Sequence, residues 1–372
     1  MAAARSPLHS AERLARLRLA RSRGVGPIAY RQLLARFPDA KAALAALPDL
    51  ARRGGGRQPE IASLAEVEAE LAAIAALGGR IILQGEPDYP RPLAAIEDAP
   101  PALTLVGRVD LLARPAVAIV GARNASAGAC RIARDLARAL GEAGVVVVSG
   151  FARGIDAAAH EGALARGTVA VFAGGADVIY PPEHASLHRA VVEGGAVVSE
   201  LPLGTEPHAR HFPRRNRLIS GLALGLVVVE AALKSGSLTT ARFALEQGRE
   251  VMAVPGSPLD PRCRGTNHLL REGARLVESV DDILTSLGGS VGCSEPVAEH
   301  PEPAAAVDDE APTTSAETSV LIAERLGPSP VAVDELVRQC HMSPPVVRAA
   351  LLDIELAGRL ERHPGDRVSL LP

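Results

Sequence analysis

Arginine and glycine recur together in several loops of this sequence in a way that suits the binding of phosphate groups. Glycine lets the backbone approach a ligand closely, and a guanidinium group donates a forked pair of hydrogen bonds to phosphate oxygens. The basic segment HARHFPRRNR, residues 208–217, and a lone lysine before a Ser-Gly-Ser turn add further positive charge. These residues predict an anion site, whose candidate members are Gly121, Arg123, Ser126, Gly150, Arg153, Gly154, Arg214, Arg215, Asn216, Arg217, Lys234, Ser235 and Gly236.

The same residues also have plainer interpretations. Arg123 or Arg153 could form salt bridges with Asp156 or Glu230, and the basic segment could be a solvated loop or a subunit contact. The joint arrangement favours an anion site, because arginines gathered at one sheet edge repel one another unless an anion joins them.

Short apolar runs that alternate with helix-length segments must position these loops. Uniformly apolar strands between helices predict a parallel sheet covered on both faces, with ligands bound beyond the carboxyl ends of the strands. The predicted strands are RIILQ (80–84), AVAIV (116–120), VVVVS (145–149), VAVFA (169–173), AVVSE (196–200), LVVVE (226–230), EVMAV (250–254) and RLV (275–277). The proline-rich segment 85–103 is interpreted as extended chain without a strand.

The N-terminal region predicts a helical hairpin. Residues 14–37 indicate two helices joined by a tight turn at 24–27, with Pro27 in the first turn of the second helix. Gly24 and Gly26 could let backbone amides reach a phosphate, or the turn could only join two packed helices.

The C-terminal region predicts a linker followed by a winged helix. Residues 288–317 are rich in Pro, Ala, Ser and acidic residues, which is typical of a disordered acidic linker. Helical patterns at 318–326, 333–340 and 344–357 precede a hairpin with a Pro-Gly-Asp turn. The acidic residues of the third helix favour contact with a protein over entry into a DNA groove, although both remain open.

Composition excludes several classes of protein. The 372 residues carry a formal charge of -3, so no global basic field indicates a polyanion partner, and three Tyr with five Phe are too few for an extended base-stacking groove. There is no GxGxxG or GxxxxGK[ST] motif, which excludes NAD, FAD and a P-loop. We therefore expect no cofactor.

Cysteine usage and hydropathy bear on location. The four cysteines stand far apart without zinc spacing, and the chain shows neither a signal peptide nor a membrane span. We expect a cytoplasmic protein that does not contact a membrane.

Two pairs of potential acid-base or metal residues occur at a spacing of four. Asp156 with His160, and His184 with His188, share helical faces, but neither pair has a third ligand nearby. We expect Asp156 to cap its helix, His160 to make a half-buried polar contact, and His184 and His188 to be exposed. No metal is predicted.

Taken together, the motifs resemble the DprA/Smf family of bacterial DNA-processing proteins. The resemblance spans about residues 80–287 and is carried by VAIVGARNASAGA, VVSGFARGIDAAAHEGAL, TVAVFAGGADVIYPPEH, SELPLGTEPHARHFPRRNRLISGL, VVVEAALKSGSLTTARFALEQGREVMAVPG and GTNHLLREGARLV. Two positions depart from the usual family pattern, since Phe151 stands in place of Leu and His184 in place of Asn.

The resemblance implies an α/β fold with an extended Rossmann-like, mostly parallel sheet and helices on both faces. It also implies an N-terminal helical (SAM-like) domain and a C-terminal winged helix, which gives expected domains of 1–78, 79–287, a linker at 288–317, and 318–372. Such a protein binds single-stranded DNA, forms a homodimer and loads the RecA recombinase during natural transformation, without catalysis. By motif position, Arg123, the arginines of FPRRNR, Lys234, Ser235 and Gly236 would line the DNA pocket, framed by Gly150, Arg153 and Gly154.

An enzyme is the alternative. Cytokinin-activating phosphoribohydrolases resemble this sheet architecture and would use the same phosphate pocket. Their PGGxGTxxE segment carries a catalytic glutamate, whereas SGSLTTARFALEQG has Arg242 and Phe243 in the corresponding region, so hydrolysis is not expected.

Overall fold

The computed structural model describes residues 8–55, 59–288, 316–363 and 365–371. These residues form two units, residues 70–288 and residues 8–69 together with 316–371. Most of the predicted acidic linker lies outside the described residues.

The chain begins with the predicted helical hairpin. The helices here are α1 (Ser10–Arg21), α2 (Pro27–Arg36), α3 (Ala40–Arg53) and α4 (Leu64–Ala76). Pro27 occupies the first helical position of α2, where its missing N–H costs nothing, and the side chain of Asp39 caps α3 by accepting a hydrogen bond from the amide of Ala42. Tyr30 and Leu33 are fully buried and form part of the cluster that holds these helices together.

Residues 79–276 supply a nine-stranded sheet. Its strands are β1 (Gly79–Leu83), β2 (Ala102–Gly107), β3 (Ala116–Val120), β4 (Val146–Ser149), β5 (Thr168–Val171), β6 (Ala196–Ser199), β7 (Gly225–Val228), β8 (Glu250–Ala253) and β9 (Arg275–Leu276). Their order is β1-β2-β6-β5-β4-β3-β7-β8-β9, and the seven strands from β6 to β9 along this order are parallel. The predicted mostly parallel α/β sheet is confirmed.

Strand β2 was missed by the sequence analysis, which had interpreted the proline-rich segment before it as extended chain. Once past Pro100 and Pro101, the residues of β2 are largely apolar, and they pair antiparallel with both β1 and β6. A nearby proline removes a donor only at its own position, so a strand can begin immediately after it.

Helices cover both faces of the sheet. They are α5 (Arg91–Ala94), α6 (Ala127–Glu142), α7 (Ile155–Ala163), α8 (Ala185–Gly194), α9 (His211–Gly221), α10 (Gly236–Glu246), α11 (Arg264–Arg271) and α12 (Val280–Ser286). Because successive strand side chains point to opposite faces, Val117 and Ile119 pack with α6 and α7, whereas Ala118 and Val120 face the core beneath α9 and α10.

The C-terminal segment is a winged helix, as predicted. It contains α13 (Ala316–Arg325), β10 (Val331–Ala332), α14 (Val333–Cys340), α15 (Pro344–Leu356), β11 (Leu360–His363) and β12 (Arg367–Leu370). The three strands form one small antiparallel sheet in the order β10-β12-β11.

Helix α15 belongs to two cores at once. Leu351 and Ile354 pack inside the winged helix, whereas Leu352 and Leu356 complete the buried cluster of the N-terminal helices. Arg359, just beyond α15, donates a hydrogen bond to the carbonyl oxygen of Gly54 at 3.3 Å. The third helix of the winged helix is therefore largely covered by protein.

The turn between α1 and α2 is packed against the end of α15. The Oε1 atom of Glu355 lies 3.3 Å from the position that a Cβ atom would take at Gly26. A carboxylate in this place disfavours a phosphate at the first turn of α2, which supports the packing interpretation of this turn.

Candidate nucleic-acid interface

The strand order places the predicted anion loops at one edge of the sheet. Strand β3 has β4 on one side and β7 on the other, so the chain reverses its direction of progress across the sheet at this point. Open α/β sheets bind ligands beyond the carboxyl ends of the strands near such a switch point. The loops after β3, β4 and β7 carry Arg123, Arg153 and Lys234, respectively.

A cavity of about 330 Å³ opens at this edge, beside the switch point. Its lining comes from the loops after β3, β4 and β5 and from the start of α9, and it includes Arg123, Gly150, Arg153, Phe172, Tyr180 and Phe212. Cations and aromatic rings thus share one hollow, which can accept a phosphate and a flat ring together.

Arg123 is the exposed cation of this cavity. Its guanidinium carbon lies 4.9 Å from the ring centroid of Phe212, and the Phe212 and Tyr180 rings are 5.8 Å apart. Arg123 makes no ion pair with any residue in the described part of the chain. A guanidinium held over a ring keeps its donors free while its face is packed, an arrangement that suits contact with a nucleotide.

The sequence analysis did not select Tyr180 or Phe212. Phe212 lies inside the FPRRNR segment, next to the predicted phosphate-binding arginines, and that position was the available signal. The low aromatic content argues against an extended groove, but a local pair of rings needs only two residues.

Arg153 lies in the same cavity and is paired with an acid. Its Nε atom contacts the carboxylate of Glu183, and both side chains are largely exposed to solvent. Exposed pairs of this kind contribute little to stability, so a phosphate can replace the carboxylate at small cost. The acid that pairs with Arg153 is Glu183, rather than Asp156 or Glu230.

Gly154 lets the loops of Arg123 and Arg153 approach each other. Its φ angle is 75°, a left-handed conformation that favours glycine, and a Cβ atom there would clash with the carbonyl oxygen of Ala122. The amide of Ile155 donates to that same carbonyl oxygen at 3.3 Å. The glycine therefore holds the two cationic loops side by side.

Arg215 lies under the cavity floor. It is 5% exposed and donates hydrogen bonds to the carbonyl oxygens of Gly150 and, at 2.6 Å, Val171. Burial lowers the pKa of Arg215 to about 10, which leaves it charged near neutral pH, and the same burial raises the pKa of neighbouring Asp156. A Cβ atom at Gly150 would clash with the guanidinium group of Arg215, so this position requires glycine.

Arg217 points away from the cavity and is 4% exposed. It forms ion pairs with Glu200, which follows β6, and with Asp98, and it donates to the carbonyl oxygen of Asp98. Arg214 is exposed and shares the carboxylate of Glu200 at 3.5 Å. The arginines of FPRRNR therefore divide by position on α9 into a surface group and a structural group.

The remaining predicted residues surround the start of α10. Ser235 caps this helix, Gly236 is its first residue, and Asn216 donates from Nδ2 to the carbonyl oxygen of Gly236 at 3.4 Å. Lys234 is exposed and has no ion-pair partner within the described residues. A helix start next to an available ammonium group favours anions.

Gly121 and Ser126 lie at the switch point itself. Ser126 caps α6 and donates from both its amide and its hydroxyl group to the carboxylate of Glu230. The donors of Ser126 predicted for phosphate are thus used within the protein.

Three parts of the chain match known protein families. Residues 80–288 match the family described as DNA recombination-mediator protein A, residues 10–73 match a DprA-like N-terminal HHH domain, and residues 301–366 match the DprA winged helix domain. The chain belongs to the DprA/Smf family. The resemblance predicted from the sequence motifs is therefore confirmed.

Individual DprA/Smf relatives cover most of the chain. Protein Smf of Escherichia coli strain K12 is 40% identical over 285 residues, which are 76% of this chain and 75% of that protein. DNA processing protein DprA of Streptococcus pneumoniae is 45% identical over 198 residues, 53% of this chain and 70% of its own length.

Solved DprA structures share the fold. The X-ray structure of DprA from Streptococcus pneumoniae superposes with a TM-score of 0.63 at 34% identity, covering 75% of this chain and 98% of that one. DNA processing protein A from Helicobacter pylori, studied for its single-stranded DNA binding mode, gives 0.52 at 30% identity and covers 56% and 95%.

The histidines of this DprA/Smf core are more buried than predicted. His160 is fully buried, and its ring Nδ1 atom lies 2.8 Å from the hydroxyl oxygen of Thr168, which in turn donates to the carbonyl oxygen of Val147. His184 and His188 are half-buried against Phe151, not exposed, because the aromatic residues between β4 and α8 form a small cluster. The prediction that Asp156 caps its helix is wrong: the N-cap of α7 is Gly154, and Asp156 lies in the first turn, where it accepts a hydrogen bond from the amide of Ala152, which precedes the helix.

No helix within the described residues combines the length and the apolar character that a membrane crossing would require.

Proposed function

We propose that this protein binds single-stranded DNA at the cavity beside the switch point, protects the incoming strand, and loads the RecA recombinase onto it during natural transformation and recombination. It does so in the cytoplasm, as a homodimer and without catalysing a reaction. Membership of a recombination-mediator family and the single-stranded DNA binding of the Helicobacter pylori relative support this proposal.

The observation that carries the proposal is the placement of Arg123 over Phe212. The guanidinium donors remain available to a phosphate, and the adjacent ring of Tyr180, which is 49% exposed, offers a face to a base. Phosphates along a polymer and a base from the same strand could then be held within one hollow. This combination recognises a nucleic acid strand without reading its sequence.

Further phosphates are held by cations at the same sheet edge. Arg153 exchanges Glu183 for a phosphate, and Lys234 with the amide groups at the start of α10 takes another. These three contacts, of Arg123, Arg153 and Lys234, predict a slope of about -2 for log affinity against log salt concentration, since each phosphate neutralised on a single strand contributes about -0.7.

The test is a fluorescence anisotropy titration of a labelled oligothymidine at several salt concentrations. We expect Arg123→Ala to weaken binding by about tenfold, equivalent to ~1.4 kcal/mol. Arg138→Ala is the matched control, because Arg138 is a surface arginine on the distal half of α6 that pairs with Asp135. A salt slope near zero, or equal affinities for the two variants, would contradict the phosphate model.

Homodimer formation and RecA loading need tests of their own. Strand β9 is at the edge of the sheet, and Leu276 on it and Leu245 on α10 are exposed, which supports self-association at this end. Sedimentation velocity of the wild type and of Leu276→Arg should distinguish dimer from monomer. RecA nucleation on strands coated with a single-strand-binding protein should accelerate with the wild type and remain slow with Arg123→Ala.

The absence of catalysis is tested directly. Incubation with nucleoside monophosphates should release no free base above the rate without protein, since the segment that aligns with the catalytic motif of the phosphoribohydrolases lacks the glutamate. Measurable base release would favour the enzyme alternative.

A further inference from the structure

The start of α6 is the place where an open α/β sheet normally holds a nucleotide phosphate. In such folds the helix that follows the strand at the switch point directs its free amide groups at the ligand. Here α6 follows β3 and runs for 16 residues, from Ala127 to Glu142, so its N-terminus carries a full helix dipole.

A carboxylate of the protein itself occupies this position. Glu230, two residues after β7, is 3% exposed. Its Oε1 atom accepts a hydrogen bond from the amide of Ser126 at 3.0 Å, and its Oε2 atom accepts one from the hydroxyl group of Ser126 at 2.7 Å. The capping residue of α6 thus donates to an internal anion in the manner expected for a bound phosphate.

The backbone closes the same crevice. The amide of Ala122 donates to the carbonyl oxygen of Glu230 at 2.6 Å, and that oxygen lies 3.0 Å from the position that a Cβ atom would take at Gly121. The loop after β3 and the chain after β7 are therefore in direct contact, and little space remains between them for a ligand.

Additional negative charge lies beside Glu230. Ligand atoms of Asp260 and Cys263 lie within 4.8 Å of one another and of a Glu230 carboxylate oxygen. Both carboxylates already accept hydrogen bonds, Glu230 from Ser126 and Asp260 from Arg262. Because Arg262 offsets the charge of Asp260, the carboxylate of Glu230 is the group that disfavours a further anion at the switch point.

The ligand-sized cavity lies to one side of this crevice. It is lined from β3, β4 and β5, whereas Glu230 lies between β3 and β7. A strand that passes over the surface can place phosphates on Arg123 and Arg153 without entering the crevice. A free nucleotide, which depends on the helix start for its phosphates, cannot bind there.

We infer that Glu230 is a specificity-determining residue that occupies the phosphate position at the start of α6 and thereby excludes free nucleotides and pyrophosphate from the switch point. The residue makes the sheet edge selective for polymeric strands. This role does not depend on the affinity of the neighbouring cavity for DNA.

The experiment measures pyrophosphate binding to the full chain by isothermal titration calorimetry at low ionic strength. Wild type, Glu230→Ala and Glu230→Gln are compared with Glu161→Ala, which removes one negative charge from the surface of α7, where Glu161 pairs with Arg134. We expect equally weak binding to the wild type and to Glu161→Ala, through the exposed cations of the neighbouring cavity. Glu230→Ala should bind at least tenfold more tightly than Glu161→Ala, and Glu230→Gln should show a smaller gain because the amide keeps its volume.

Two results would overturn the inference. One is a folded Glu230→Ala protein, by circular dichroism, that binds pyrophosphate no better than Glu161→Ala. The other is an Arg123→Ala/Arg153→Ala protein, which lacks the two cations of the neighbouring cavity, whose melting temperature still rises with pyrophosphate beyond the effect of sulfate at equal ionic strength; this measurement leaves Glu230 unchanged. Both measurements use pyrophosphate and no DNA, so they can be interpreted even if the protein does not bind single-stranded DNA.

Discussion

The ring of His184 lies edge-on to the ring of Phe151, with centroids 5.3 Å apart, and its Nδ1 atom is 3.3 Å from the carbonyl oxygen of Phe151. These are the two positions that the sequence motifs single out as departures from the resembled pattern. Phe151 is buried with a φ angle of 60°, which a bulky residue adopts only when its surroundings hold it there. The departures therefore form one contact next to the loop that carries Arg153.

The contact predicts that substitutions at the two positions are coupled. Phe151→Leu and His184→Asn should each lower the free energy of unfolding. The double variant should lose less than the sum, with a coupling of about 0.5–1.5 kcal/mol, because the second change removes a contact that is already lost. Urea denaturation of the four proteins of the cycle measures this quantity. Phe151→Leu combined with His268→Asn, an exposed site, serves as the control pair and should be additive.

The exposed and the buried arginines around the candidate site should respond differently to truncation. Arg217→Ala should lower the free energy of unfolding by about 3 kcal/mol, because it removes the buried arginine that lies closest to the carboxylate of Glu200 and leaves only the exposed Arg214 at 3.5 Å. Arg123→Ala should change stability by less than about 0.5 kcal/mol, since Arg123 is exposed. Chemical denaturation beside DNA titration of both variants makes the comparison. Equal losses of stability in the two variants would contradict the distinction between a structural Arg217 and a surface Arg123.

His160 should make stability depend on pH. Burial lowers its pKa in the folded protein to about 3, below the ordinary value near 6.5. The unfolded chain therefore binds a proton first as the pH falls, so the stabilisation is complete above about pH 6.5 and is lost progressively towards pH 3. Between pH 7 and pH 5 the expected loss in the free energy of unfolding is about 2 kcal/mol.

Comparison of variants isolates this effect. The raised pKa of Asp156 has the opposite effect, because it makes the folded protein gain stability as the pH falls. The dependence of wild-type stability on pH therefore combines the contributions of His160 and Asp156. Urea unfolding at both pH values should show a smaller loss for His160→Gln than for the wild type, whereas His268→Gln should retain the full loss. An unchanged loss in His160→Gln would contradict the assignment.

The sharing of α15 predicts that the two ends of the chain depend on each other. Leu352→Ala should destabilise the unit of residues 8–69 and 316–371 by about 3 kcal/mol, whereas Leu371→Ala, at an exposed site, should cost far less. Truncation after residue 315 should remove amide hydrogen-exchange protection from α2, because Leu352 and Leu356 would no longer cover its core. Retained protection in the truncated chain would refute the shared core.

Much of the central sheet could be predicted because its strands are uniformly apolar and end in glycine, serine or acid. AVAIV coincides with β3, and parallel topology then brings the loops of Arg123, Arg153 and Lys234 to one edge. The proline-rich context concealed β2. Patterns along the chain report local periodicity well, and they report strands next to prolines poorly.

The inward and outward positions of the arginines could not be read from the sequence. Arg214, Arg215 and Arg217 are nearly consecutive, and their partners Glu200, Asp98 and the carbonyl oxygen of Gly150 come from distant segments. The second apolar face of α15 was visible as leucines four residues apart. That this face packs against the N-terminal helices is a tertiary contact, which the sequence pattern does not report.

The dual packing of α15 also bears on biosynthesis. About 300 residues separate the last leucines of α3 from those of α15, and at roughly 10 residues per second a ribosome needs on the order of 30 s to bridge them. During that interval the apolar surface of the first helices emerges without its covering helix and is open to chaperones. Completion of the chain, rather than appearance of the N-terminal domain, is therefore the event that seals this surface.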